Sequence, residues 1–193
     1  MKTTKNKLPL FFNILIIIFE IIGCSMCAKH GLSVLQYYTV LSNIFALITS
    51  SLYVAFYLKT KNNIPLALSF LRYASTVCLT LTFAVVLFFF VPLAGFNVMV
   101  EGVQIFHHLL CPVLSFISFV FFEKRNPLSK KHIFLSLLPT FTYAAVIIVL
   151  NILKVVEGPY PFLMVYQQSV ILSVLYFIII SGMALFAATL LRI

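Results

Sequence analysis

Thr39, Ser42 and Asn43 stand at i, i+3 and i+4 in the run Tyr37-Tyr38-Thr39-Val40-Leu41-Ser42-Asn43, a spacing that puts all three on one face of a helix. A threonine hydroxyl is a weak nucleophile and needs a neighbouring base to take its proton as it attacks. A neutral histidine does this near ambient pH and can hand the proton on to a leaving group. The chain offers an adjacent pair, His107 and His108. Gln104, His108, Cys111, Ser115 and Ser118 recur at helical spacing as one polar or small stripe, while Val103, Leu110 and Leu114 lie nearer the face of His107. This pattern predicts that His108 points into a helix bundle and that His107 sits near a lipid interface. Pro112 follows four residues after His108, so in an α-helix it leaves the carbonyl of His108 without a backbone donor.

Other polar groups extend this set. Glu20 and Glu101 are acids able to orient a histidine, with no spacing argument choosing between them. Asn43, Gln104 and Tyr38 are donors suited to an oxyanion, and Tyr160 lies in the polar loop Glu157-Gly158-Pro159-Tyr160-Pro161-Phe162. Each residue also has a plainer reading. Thr39 can bond the carbonyl of Leu35 in its own helix, Asn43 can join two helices, and His108 can serve packing or interhelical bonding.

Composition dictates what must position these groups. Hydrophobic residues form 63% of the 193 residues and charged residues 9%, and mean hydropathy is +1.14. A soluble domain carries roughly 25% charged residues, so a soluble enzyme, a disordered chain and a disulfide-dense scaffold are all excluded. The expected fold is an all-α polytopic membrane bundle forming one domain over 1–193. Charge-poor runs long enough to cross ~30 Å of hydrocarbon predict six transmembrane helices, at about 8–28, 35–58, 74–95, 103–122, 133–153 and 170–191. The runs are continuously apolar rather than alternating, which excludes a β-barrel.

Of the 13 basic residues, 11 fall in the N-terminus, the second and fourth loops and the C-terminus. They are Lys2, Lys5, Lys7, Lys59, Lys61, Arg72, Lys124, Arg125, Lys130, Lys131 and Arg192. Basic short loops stay cytoplasmic, so both termini are expected in the cytoplasm. Thr39 and His108 then lie roughly 6–8 Å below the outer surface, and Glu20 lies in the outer half of its span. The N-terminal run ending Ile21-Ile22-Gly23-Cys24 also resembles a signal peptide with a lipid-attachment cysteine. Glu20 beside that site and the length of the run favour a span. Cys24, Cys27, Cys78 and Cys111 all lie in or at the edge of apolar runs and read as small buried hydrophobes.

At Tyr38-Thr39-Val40-Leu41-Ser42-Asn43, His108-Leu109-Leu110-Cys111-Pro112 and Tyr160-Pro161-Phe162-Leu163, the chain resembles the androgen-induced membrane hydrolase family. Those proteins cleave fatty acid esters of hydroxy fatty acids. In the first two of these segments the chain also resembles the bacterial branch often labelled Pr6Pr membrane proteins, and the architectural similarity covers nearly its whole length. In that family a membrane-embedded threonine is the nucleophile and a histidine its partner, so the resemblance implies these roles for Thr39 and His108. It implies a bacterial plasma membrane as the location. Animal members carry an acid where this chain has Ser42, and their histidine stands five residues before the proline, which would select His107.

The expectation is therefore an intramembrane lipid ester hydrolase drawing its substrate from the bilayer, without cofactor or metal. A haem or metal site using His107, His108 and His30 is a third reading with less support, since adjacent histidines on a helix diverge by about 100° and do not readily share an ion. The alternative is a non-catalytic membrane protein that binds a lipid or small molecule, or a transporter. No basic stripe interleaved with exposed aromatics points to nucleic acid. Oligomeric state has no signature in the sequence.

Overall fold

The computed structural model describes residues 7–60, 63–123 and 126–192. All regular structure among them is helical, and six helices are long and apolar enough to cross a membrane: α1 Leu8–Ala28, α2 Tyr38–Thr60, α3 Leu66–Ala94, α4 Ile105–Phe122, α5 Lys130–Ile152 and α6 Val170–Leu191. They run up and down, so one end of the bundle carries the starts of α2, α4 and α6 and the other the starts of α1, α3 and α5.

Local chemistry sets the ends. Gly31, at φ +73°, opens a 3-10 turn over Gly31–Gln36, and the extended backbone of Tyr37 separates that turn from α2. Pro65 precedes the first turn of α3, and Gly95, at φ +82°, ends it. His132 Nδ1 accepts the N–H of Ser129 at 3.0 Å at the start of α5. Ser169 Oγ accepts the N–H of Leu172 at the start of α6. Each bond satisfies a polar group that a helix terminus would otherwise leave open.

α3 is the centre of the bundle. It packs on α2, α4, α6 and the first turns of α5, while α1 closes against α2 and α4. Tyr73, Val77 and Leu81 of α3 are buried with Phe119 of α4 and with Ala184, Ala188 and Leu191 of α6. The small alanines let α6 approach closely, the usual means of helix association where lipid supplies no hydrophobic drive.

The third helix starts at Leu66, not near residue 74, and Arg72 lies inside it, fully buried. Its guanidinium meets Glu123 at 2.8 Å and Ser50 Oγ at 3.0 Å. Glu123 in turn accepts from Asn13 Nδ2 and Ser118 Oγ, both at 2.9 Å. Arg72 is therefore not a loop charge: a carboxylate across the bundle compensates it, and the network ties α1, α2, α3 and α4 together. A rule that looks for runs free of charge cuts such a helix short. Lys2, Lys5, Lys61, Lys124 and Arg125 lie outside the described residues.

Candidate functional site

Thr39 is the second residue of α2, in the first turn rather than one turn inside the span, because the chain ahead of it is the separate 3-10 turn. Its N–H donates to Tyr160 Oη at 3.2 Å, and its Oγ1 lies 3.2 Å from the same phenol oxygen. The bond to Leu35 that a continuous helix would allow does not form. Tyr160 stacks on Phe162, centroids 5.2 Å apart. Burial raises the Tyr160 phenol above its ordinary pKa, outweighing the opposite pull of its bonds to Thr39. It therefore stays protonated, with an O–H to give.

Thr39 and Tyr160 share in the walls of two cavities. The larger, of about 920 Å³, is also lined by His30, Glu101, Gln104, His107 and His108. The smaller, of about 120 Å³, is lined by Tyr38, Phe141, Phe177 and Ile180 among a mainly apolar set. A chamber of mixed polar and apolar lining and an almost wholly apolar one thus meet at the Thr39–Tyr160 pair.

The histidines face the opposite way from the stripe argument. His107 is the buried one, at 1% exposure, and it does not lie at a lipid interface. Its Nε2 is 3.8 Å from Glu20 Oε2 and its Nδ1 3.9 Å from Cys27 Sγ. His108 is half-buried, with Nδ1 2.7 Å from the carbonyl of Val98. A carbonyl only accepts, so Nδ1 carries the proton and Nε2 keeps a free lone pair. Val98 belongs to the single turn Asn97–Val100. A backbone carbonyl leaves no trace in a sequence, so this partner was not foreseeable.

The reversal has a cause in the winding. Ile105–Leu110 is a π-turn, with the N–H of Cys111 bonded to the carbonyl of Phe106. Stripes counted at 3.6 residues per turn lose their phase across such a turn. In this register the donor missing at Pro112 would have served His107, not His108. Asn43 Nδ2 fills that place, donating to the carbonyl of His107 at 3.2 Å and to that of Thr39 at 2.7 Å.

These bonds redistribute the predicted roles. Asn43 spends its N–H groups on two backbone carbonyls, which leaves none to offer an oxyanion. Ser42 bonds the carbonyl of Thr39 at 3.0 Å and Thr82 Oγ1 at 3.1 Å. Tyr38 faces the smaller cavity and pairs with Thr140 Oγ1 at 2.7 Å. Gln104 lines the larger cavity, whereas Glu20 is wholly buried behind His107. Among the described residues no hydrogen bond joins Thr39 to either histidine, although all three border one cavity. No family model, curated protein or solved structure matches the chain.

Proposed function

We propose that the protein is an intramembrane lipid ester hydrolase with Thr39 as nucleophile and His108 as base. One observation carries the reading: Thr39 stands where a chamber of mixed lining that includes His108, Gln104 and Glu101 meets an almost wholly apolar one, an arrangement that suits an ester with a fatty chain on one side of its carbonyl. The free Nε2 of His108, fixed by the Val98 carbonyl, has the protonation state of a base. The first turn of α2 adds backbone N–H groups and the positive end of a helix dipole beside the reacting oxygen. The resemblance of the Thr39 and His108–Pro112 segments to the androgen-induced hydrolases points the same way.

In this mechanism His108 Nε2 takes the Thr39 hydroxyl proton as Oγ1 attacks the ester carbon. Tyr160 donates to the resulting oxyanion, a role of the kind worth about 2.7–4 kcal/mol. Collapse breaks the bond to the alcohol oxygen, which leaves with the proton from His108. Water, deprotonated by His108, then attacks acyl-Thr39; the acid departs and Thr39 recovers its proton. We assign this end of the bundle to the outer membrane face, because Lys7, Lys59, Lys130, Lys131 and Arg192 all gather at the other end.

The test is covalent labelling of detergent-purified protein by a fluorophosphonate, with the adduct mapped by peptide mass spectrometry. We expect an adduct on Thr39 that disappears in His108→Ala. A second reading, a lipid-binding protein without chemistry, draws on the engagement of Thr39 Oγ1 with Tyr160 instead of a histidine. Well-folded protein that binds fatty acyl ligands yet reacts with no ester-mimicking probe would establish that reading instead.

A further inference from the structure

We propose that Glu20, Cys24 and His107 form a buried site for a divalent transition metal of the zinc type. Glu20 and Cys24 are one turn apart on α1, and His107 comes from the π-turn of α4. A carboxylate oxygen, a thiol sulfur and a ring nitrogen from the three lie within 4.8 Å of one another.

The polar atoms here lack the partners that burial demands. Both carboxylate oxygens of Glu20 and Nε2 of His107 have no hydrogen-bond partner, although the two side chains are 0% and 1% exposed. An ionisable pair left open in the interior of a membrane bundle is costly. The Glu20–His107 separation of 3.8 Å is too long for a hydrogen bond. It is close to the roughly 3.4 Å expected of two ligands straddling one tetrahedral ion at ordinary zinc bond lengths.

The surroundings are built to admit the imidazole. A Cβ at residue 23 would stand 2.5 Å from His107 Nε2, so only glycine lets α1 and the ring come this close. The donor set of one carboxylate oxygen, one thiolate and one imidazole nitrogen suits zinc, and two negative ligands balance a divalent ion. The buried Cys111 thiol stands beside the Glu20 carboxylate and is not one of the three side chains whose donor atoms cluster. His107 and Cys27 line the larger cavity, the side from which an ion would enter and the displaced thiol proton would leave. The site uses a single histidine and two residues from another helix, which is why neighbours compared within one helix did not reveal it. Bound metal would fix the π-turn that carries His108, so its role is structural and stands apart from the esterase reading.

The experiment is elemental analysis of protein purified in detergent without chelator, followed by chelation and reloading with cobalt(II). Wild type should hold about one ion per chain and, with cobalt, show a thiolate charge-transfer band and the intense visible bands of a tetrahedral centre. Cys24→Ser should abolish the charge-transfer band. Glu20→Gln and His107→Gln should each lower retained metal at least tenfold, and Cys78→Ser should change neither. Monodispersity in gel filtration shows that each variant is folded. The proposal is overturned if folded wild type neither retains metal nor gives the cobalt spectrum, or if Cys24→Ser and His107→Gln both bind as wild type does.

Discussion

Asn43 holds the carbonyl of His107 at 3.2 Å. The same amide nitrogen grips the carbonyl of Thr39 at 2.7 Å, so one side chain couples the first turn of α2 to the π-turn of α4. Pro112 creates the vacancy on α4 and Asn43 answers it from the neighbouring helix. Asn43→Leu should cost about 1–3 kcal/mol, the penalty for stranding the buried carbonyl of His107. Pro112→Ala restores a backbone N–H, so the cost of Asn43→Leu should shrink in that background. Thermal unfolding of the two single variants and the double variant in detergent reads the coupling.

The opposite end of the bundle depends on Arg72 and Glu123. Glu123→Ala leaves a fully buried guanidinium without its carboxylate, and removal of one partner of a buried pair costs about 3–5 kcal/mol. Replacing Arg72 and Glu123 together by methionine should cost less than Glu123→Ala alone. Denaturant or thermal unfolding of solubilised protein distinguishes the two.

Gly23→Ala should force the His107 ring out of its seat, since the added carbon would sit 2.5 Å from Nε2. Overpacking of this kind destabilises by about 1–3 kcal/mol. In a His107→Ala background the same substitution should be close to neutral, and a double-mutant cycle on melting temperature checks it.

Tyr160→Phe keeps the ring that stacks on Phe162 and removes only the hydroxyl that touches Thr39. Under the hydrolase reading, probe labelling of Thr39 should fall by about 10²–10³-fold with the fold retained. The variant also has a pH signature. The folded-state pKa of Tyr160 is raised above its unfolded value, so its contribution to stability is full below about pH 10 and declines as pH rises further. Above that pH wild type should lose stability more steeply than Tyr160→Phe, as measured by unfolding across alkaline buffers.

The sequence carried the six-helix architecture because length and apolarity are written residue by residue, and α1 and α6 have the bounds that charge-poor runs predict. α3 was shortened because Arg72 looked like a loop charge until Glu123, 51 positions away, was seen to neutralise it. Thr39, His108 and Tyr160 border a common cavity, whereas Glu20, expected at the same level, is wholly buried and lines neither cavity. The facing of the histidines was not legible, since it depends on the local hydrogen-bond register and not on residue type. Nor was the Val98 carbonyl, which any residue at that position would supply.

The π-turns at Val86–Phe90, Ile105–Leu110 and Ser118–Phe122 act as angular offsets, each inserting a step that an ordinary helical wheel does not contain. The two ends of α4 consequently answer to different wheels. Deleting one residue between positions 105 and 110 would remove an offset and rotate everything on the far side by about 100°. A one-residue change in length, with no change in side-chain chemistry, would then decide which histidine meets Glu20 and which meets the Val98 carbonyl.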